Sequence, residues 1–107
     1  MADALRAEGF RILGQNVHLG GGELDVIALR DRALRFVEVK ARSPGDDSAW
    51  ESVGRSKRRK LQRAAQAWLQ GDVPDYDEVA FVVAAVTLDP TGWSVEWIDD
   101  AFDAEGW

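Results

Sequence analysis

Residues 22–40 read GELDVIALRDRALRFVEVK, and this stretch decides the fold because it holds two apolar segments with charges at fixed places. The first segment carries Glu23 and Asp25, and the second carries Glu38 and Lys40. Side chains alternate between the two faces of a strand, so the members of each pair share a face. If the two segments form a hairpin, three carboxylates and one ammonium group meet on a single patch.

Such a patch is expensive to bury among apolar neighbours unless it binds something. Mg²⁺ or Mn²⁺ is the natural ligand, because these hard cations prefer carboxylate oxygens. Lys40 would then be available to contact a water molecule or a phosphate. The alternative is a structural ion pair between the strands, but buried ion pairs stabilise weakly, which favours a binding site. Glu23 stays open between a site residue and an acid that simply follows Gly22.

Length and composition indicate one soluble globular domain over residues 1–107, with 46% apolar and 30% charged residues. No apolar run approaches the roughly 20 residues that span a bilayer. The first residues, MADALR, lack the apolar core of a signal peptide, so we expect a cytoplasmic protein without membrane contact. The absence of cysteine excludes disulfides, thiolate metal sites and cysteine nucleophiles.

The net charge of −6 conceals an uneven distribution of charge along the chain. All 13 Lys and Arg residues lie within residues 1–63, whereas residues 64–107 hold ten acids and no basic residue. This asymmetry permits phosphate contacts on one face of an acidic protein. The alternative is that the basic residues merely solvate a helix. The densest basic cluster consists of Arg55, Lys57, Arg58, Arg59, Lys60 and Arg63.

Hydrophobic periodicity and turn signals predict the order α-β-β-β-α-β-β, a mixed sheet flanked by helices. Leu61, Ala64 and Ala65 form one apolar stripe on the second helix. Lys57 lies four residues before Leu61 on the same stripe, so we expect its ammonium group to reach the acidic patch. The predicted elements are a helix over 2–8, strands over 10–17, 23–29 and 34–41, a helix from Trp50 or Val53 to Leu69, and strands over 79–87 and 93–98.

The element order, with an acid on the second strand and Glu-x-Lys on the third, resembles the restriction-endonuclease-like PD-(D/E)XK nuclease fold. More narrowly, the chain resembles the YraN family of bacterial proteins, which are relatives of archaeal Holliday-junction resolvases. The similarity covers most of the chain. The matching positions are residues 9–13, Asn16, residues 22–28, residues 36–42, Lys57 with Leu61, Ala64 and Ala65, and Asp100-Ala101-Phe102.

The resemblance implies a role for each site residue. Asp25 and Glu38, with the backbone carbonyl of Val39, would ligate Mg²⁺ or Mn²⁺, and Glu23 would assist them or hold a second ion. Lys40 would position or activate the attacking water. Lys57 would bind the scissile phosphate or orient Glu38. The residues expected to contact DNA are Arg42, Arg55, Lys57, Arg58 and Arg59.

The implied function is metal-dependent endonuclease-like hydrolysis of phosphodiester bonds in structured or branched DNA, in repair or recombination. A homodimer is expected from the small footprint. Relatives carry a glutamate on a helix that would lie ahead of Met1, so the N-terminal helix is expected to be truncated. Relatives also often carry an aspartate at the position that aligns with Val82. These departures keep open a catalytically inactive DNA-binding accessory of the same fold. A third alternative is a protein-interaction adaptor that uses the acidic C-terminal third.

Four further features have less specific interpretations. His18 is expected to be exposed or hydrogen-bonded, and Asn16 to occupy a turn or a cap. The triplet at residues 20–22 lacks the context of a phosphate loop and predicts a hairpin turn. Trp50 is a candidate for stacking on an unpaired base.

Overall fold

The computed structural model describes residues 1–42 and 55–99. It confirms the predicted α/β class, a mixed five-stranded sheet with two helices, and most element ends agree within two residues. Trp50, residues 43–47 and Asp100-Ala101-Phe102 lie outside the described residues. Neither described helix is long and apolar enough to cross a membrane. The elements are α1 (Ala2–Ala7), β1 (Arg11–Leu19), β2 (Gly22–Arg30), β3 (Ala33–Arg42), α2 (Arg55–Leu69), β4 (Glu78–Asp89) and β5 (Gly92–Asp99).

The five strands lie in their sequence order, β1-β2-β3-β4-β5. All neighbours are antiparallel except β3 and β4, which run parallel. Parallel neighbours need a crossover connection rather than a tight turn, and α2 lies within that connection. The connection brings α2 over the sheet against β2 and β1.

Two hydrophobic clusters cover the two faces of the sheet. On the α2 face, Phe36 packs edge-on against Trp68 at 5.8 Å between ring centroids and lies 5.5 Å from Phe81. On the α1 face, Leu5 packs against residues of β2, β3 and β4. Residues 80–85 of β4 are all buried, so this strand is covered on both faces.

The glycine turn between β1 and β2 lies directly against the backbone of α2. A Cβ atom on Gly22 would lie 2.6 Å from the carbonyl oxygen of Lys60, and one on Gly20 would lie 2.9 Å from that of Arg63. The predicted hairpin turn is confirmed. Its glycines also let the helix approach the start of β2 more closely than any side chain would allow.

The turn between β2 and β3 is tied to the start of β4. Asp31 and Arg32 have φ values of 50° and 67°, the left-handed pair of a two-residue type I′ hairpin. Arg32 Nε lies 2.8 Å from Asp77 Oδ2, and the N–H of Asp77 donates to the carbonyl of Arg32 at 2.8 Å. The hydrogen bond to the guanidinium lowers the pKa of Asp77, and the same contact raises the pKa of Arg32.

Candidate functional site

The sheet opens into a fork between β2 and β3. Their pairing runs from Arg30–Ala33 to Val26–Val37. Beyond that point β2 continues to pair with β1, and β3 continues to pair with β4. The next residues along the two strands are Asp25 and Glu38. These two carboxylates therefore lie where the strands separate.

One hydrogen bond spans the fork. The backbone N–H of Val39 donates to Asp25 Oδ2 at 2.8 Å in a partly buried position. The carboxylate thus accepts a bond at a level where the main chain of β2 no longer pairs with β3. A bond to an ionised acceptor is stronger than one between neutral groups, so it holds Asp25 in a defined orientation.

Glu38 and Lys40 form an ionic contact on the same face of β3. Lys40 Nζ lies 3.8 Å from Glu38 Oε1, and the two side chains are 24% and 7% exposed. This distance is longer than a hydrogen bond but keeps the ammonium group beside a nearly buried carboxylate. Because Glu38 follows Phe36 by two residues, it faces α2 rather than α1.

A cavity of about 130 Å³ gathers the acidic residues under α2. Glu23, Asp25 and Glu38 line it together with Lys60 and Leu61, and Gly22 completes the wall. The basic residue in this wall is Lys60, whereas Lys40 contacts Glu38 on β3. Three acidic residues thus share one cavity with a single basic residue, Lys60 of the helix.

Glu23 divides its contacts between this cavity and His18. Its Oε1 lies 3.6 Å from His18 Nε2 across the β1–β2 pair, and His18 is 70% exposed, in line with the interpretation of an exposed histidine. Within residues 1–42 and 55–99, no group of three or more His, Cys, Asp or Glu residues is gathered closely enough to hold a metal ion. A cation in the cavity would therefore rely on Asp25 and Glu38, and Mg²⁺ commonly uses one or two carboxylates with several waters.

Lys60 lines the cavity, although the sequence pattern singles it out only as a member of the basic cluster. Lys60 lies four residues before the fully buried Ala64, so the helical period does put it on the inward side. The backbone of Lys57 lies in α2, but its side chain is outside the described part of the structure, as are those of Arg42 and Arg55. The predicted roles of these three residues stay predictions.

The remaining basic residues of α2 differ in exposure. Arg58 is half-buried, whereas Arg59, Lys60 and Arg63 are exposed. Arg59 and Arg63 lie four residues apart on α2, so their charges are neighbours on one side of the helix.

Two sequence interpretations are corrected by the register. Asn16 lies inside β1 rather than in a turn or cap, opposite Asp25 and between the pairs Gln15–Val26 and Val17–Leu24. Its φ of 51° is left-handed, a conformation that asparagine tolerates better than most residues, so β1 is irregular beside the site.

The second correction concerns β4. Val82 packs with Leu5 and Val37 on the α1 face, away from the carboxylates. The β4 residue opposite Glu38 is Val83, which is fully buried on the α2 face. An aspartate at position 82 would therefore lie on the α1 face and not on the face of the carboxylates.

Comparison with known proteins gives one consistent family. The model of the uncharacterised protein family UPF0102 matches residues 1–88. A UPF0102 protein of Syntrophotalea carbinolica is 40% identical over 108 residues, covering 99% of this chain and 87% of that protein. A UPF0102 protein of Nitrobacter winogradskyi is 40% identical over 86 residues, covering 80% and 71%. The UPF0102 protein YraN of Escherichia coli is 41% identical over 100 residues, covering 92% and 75%.

The family match and the relatives extend over most of the chain. They confirm the resemblance to YraN that the sequence indicated through residues 22–28 and 36–42. On this basis the chain belongs to the uncharacterised protein family UPF0102, whose members include YraN.

Proposed function

We propose that this protein is a metal-dependent endonuclease of the PD-(D/E)XK type that hydrolyses phosphodiester bonds in DNA. The observation that carries the proposal is that Asp25 and Glu38 line one cavity at a strand fork, with Lys40 3.8 Å from Glu38. The element order α-β-β-β-α-β supports it, since the nuclease fold has the same order. Carboxylates and a lysine in this placement suit chemistry on an anionic ester.

The two carboxylates fit a hard divalent cation. Asp25 and Glu38, with the carbonyl of Val39, would hold Mg²⁺ or Mn²⁺, for which carboxylate and carbonyl oxygens are the preferred donors. When bound, such an ion neutralises phosphate charge and lowers the pKa of a coordinated water. The N–H of Val39 already orients Asp25, so this ligand does not have to be reorganised for binding.

The lysines would act on the substrate from two sides. Lys40 lies beside Glu38 and would position the attacking water while offsetting charge that develops on the phosphorus oxygens. Lys60 lines the opposite wall of the cavity on α2 and would bind the scissile phosphate. Glu23 would complete the polar wall, with His18 as its partner.

The substrate class follows from the kind of contacts that α2 offers. Arg59, Lys60 and Arg63 are exposed on one helix next to the cavity and would bind phosphates, which carry no sequence information. Structured or branched DNA, as it arises in repair and recombination, is therefore the proposed substrate. The function requires the compartment that holds the DNA, which is the cytoplasm in bacterial relatives. A homodimer would supply one site for each of two DNA strands.

Labelled flap, four-way-junction and single-stranded DNA, incubated with Mn²⁺, Mg²⁺ or EDTA, test the proposal. Metal-dependent cleavage that is lost in Glu38→Gln is the expected result, because this variant keeps the shape of the side chain and removes its charge. Absence of cleavage on every substrate with either metal ion would overturn the proposal.

A DNA-binding accessory without hydrolytic activity is the second candidate. It is favoured by the aliphatic Val83 opposite Glu38, because this position of β4 supplies no further acid to the face that carries Asp25 and Glu38. Salt-sensitive DNA binding without cleavage would establish this function instead.

A further inference from the structure

Strand β2 exchanges its two faces at Asp25. Val26 packs in the hydrophobic cluster on the α1 face, whereas Leu24 packs in the cluster that contains α2, on the opposite face. In a regular strand, residues two positions apart point to the same face. The rest of β2 keeps this alternation, with Ile27 on the α2 face and Ala28 on the α1 face. The chain of β2 is therefore turned about its own axis at the candidate metal ligand.

Strand β1 makes the same exchange at Asn16. Its neighbours Gln15 and Val17 lie opposite the two residues of β2 that point to different faces, and the opposite residues of a pair share a face. These pairs are Gln15–Val26 and Val17–Leu24. A Cβ atom on Gly14 would lie 2.9 Å from Cγ2 of Val17, although residues three positions apart in a regular strand point to opposite faces. Both strands therefore turn at the level of Asn16 and Asp25.

The backbone of Asn16 accounts for this turn. Its φ of 51° lies in the left-handed region, far from the values of about −120° to −140° of a regular strand. A residue of this kind within a strand increases the local twist and re-aims a side chain, as a β-bulge does. In the described part of the chain, the other non-glycine residues with positive φ are Asp31 and Arg32, which form the hairpin turn. The side chain of Asn16 is exposed, so it is not burial that holds this residue in place.

We infer that Asn16 is the positioning residue for Asp25. Its left-handed backbone turns β1 and β2 together, so that the Asp25 carboxylate lies in the plane of the sheet. The N–H groups of a strand point along the sheet toward the neighbouring strand. A carboxylate that accepts the N–H of Val39 at 2.8 Å therefore lies in that plane. A regular β2 would aim the side chain of residue 25 above or below the sheet, out of line with this N–H.

The same placement bears on the proposed metal site. Asp25 lines the cavity with Glu38, and an ion held there requires the two carboxylates in a fixed relation. The effect of Asn16 on metal binding rests on the proposed function. Its effect on the hydrogen bond between Asp25 and Val39 does not, because that bond is formed by the chain alone.

Substitutions that differ in their tolerance of the left-handed region test the inference. Asn16→Gly adopts positive φ without strain and should keep the hydrogen-exchange rate of the Val39 N–H at the wild-type value. Asn16→Ala and Asn16→Val are strained there and should raise that rate about tenfold or more. The rate is measured by NMR relative to that of Val83, a fully buried residue whose exchange reports opening of the whole sheet. Asn16→Ala is the milder change and carries the measurement if Asn16→Val does not fold.

Gln15→Val is the matched control for a β-branched side chain in β1. Gln15 is exposed and precedes Asn16, so this variant should leave the exchange rate of Val39 unchanged. A wild-type rate in Asn16→Ala would overturn the inference. An equal rise in Asn16→Gly and Asn16→Ala would also overturn it, because the effect would then come from the amide side chain and not from the backbone conformation.

Titration with Mn²⁺ separates this inference from the proposed function. The Mn²⁺ affinity should fall about 10–100-fold in Asn16→Ala, as it does when support of a metal ligand is lost, and should be retained in Asn16→Gly. Absence of Mn²⁺ binding in the wild-type protein would contradict the proposed metal site, and the exchange rate of Val39 would still decide the role of Asn16. Faster exchange at Val39 with unchanged Mn²⁺ affinity would support that role and remove Asp25 from the metal ligands.

Discussion

The carboxylate of Asp25 accepts a hydrogen bond from the backbone N–H of Val39 at 2.8 Å, just beyond the last pair between their two strands. A side chain thus replaces main-chain pairing at the point where β2 and β3 separate. The same separation leaves room for Glu38 and for the cavity under α2. The bond therefore has two consequences, one for the stability of the fork and one for the orientation of the site.

The stability of the fork should depend on an acceptor at position 25. Asp25→Ala leaves the N–H of Val39 without its acceptor and should lower the free energy of unfolding by about 1–3 kcal/mol. Asp25→Asn keeps an amide oxygen that can accept the bond, so it should cost less. Urea unfolding measures both variants, and equal losses would mean that the hydrogen bond is not what stabilises the fork.

The two variants should behave alike in metal binding. Both remove the carboxylate charge, so calorimetric titration with Mn²⁺ should give no binding to Asp25→Asn or to Asp25→Ala. Unaltered affinity in Asp25→Asn would place the cation elsewhere. Comparison of urea unfolding with Mn²⁺ titration separates the structural role of Asp25 from its proposed role as a metal ligand.

Lys40→Ala should abolish DNA cleavage and leave DNA binding in place. The reason is that Lys40 lies beside Glu38 within β3, whereas Arg59 and Arg63, the proposed phosphate contacts, lie on α2. A positioned acid–base group contributes about 10²–10⁴-fold to rate, so single-turnover cleavage should fall at least a hundredfold. Lys40→Arg, which keeps the charge, is the control and should retain part of the activity. Cleavage by Lys40→Ala at the normal rate would remove this lysine from the mechanism.

The hairpin at residues 22–40 could be predicted from sequence because its signals are local. Alternating apolar residues and turn residues fix which segments are strands and which residues share a face. The fork itself could not be predicted in this way. Main-chain pairing of β2 with β3 ends where the side chain of Asp25, instead of a backbone carbonyl, accepts the N–H of Val39. The alternation of apolar and polar residues is the same before and after that point, so it does not reveal the fork.

The choice between the helix lysines depends on the rotation of α2 against the sheet. Lys57 and Lys60 both precede buried residues by four positions, Leu61 and Ala64 respectively, so the period alone admits either. The contact that fixes Lys60 near the cavity is the approach of α2 to Gly22, a tertiary feature. Tertiary structure also decides which of Val82 and Val83 lies on the face of the carboxylates. A register shift of one residue would exchange the two faces of the strand, and the sequence alone does not fix that register.

Gly22→Ala should move α2 away from the start of β2. The new methyl group would meet the carbonyl oxygen of Lys60 at 2.6 Å, a distance that backbone atoms must relieve by shifting. Overpacking of this kind costs about 1–3 kcal/mol, which urea unfolding would detect. Gly71→Ala is the matched control, because a Cβ atom there would lie 3.3 Å from the carbonyl oxygen of Trp68, a less severe contact than that at Gly22. Equal stability of the two variants would show that the helix tolerates the displacement.

The contact between Arg32 and Asp77 should make stability depend on acid pH. Because the folded state lowers the pKa of Asp77, its contribution is fully present above the unfolded pKa and is lost as the pH falls through the folded pKa. Asp77→Asn should therefore lose less stability than the wild type on acidification, and the difference should be small because both side chains are exposed. Urea unfolding across a pH series measures this. Asp75→Asn, whose carboxylate lies 4.0 Å from Arg32, is the control. Identical pH profiles for wild type and Asp77→Asn would contradict the assignment.

Lys60 and Arg59 are neighbours on α2 that should affect different steps. Lys60 lines the cavity with Asp25 and Glu38, so Lys60→Ala should reduce cleavage more than DNA binding. Arg59 is exposed and is a proposed phosphate contact, so reversing charge in the double variant Arg58→Glu and Arg59→Glu should weaken binding and flatten its salt dependence. Each lost phosphate contact should reduce the slope of log K against log salt by about 1. Cleavage and binding that fall in parallel for Lys60→Ala would make this lysine a general DNA contact rather than part of the site.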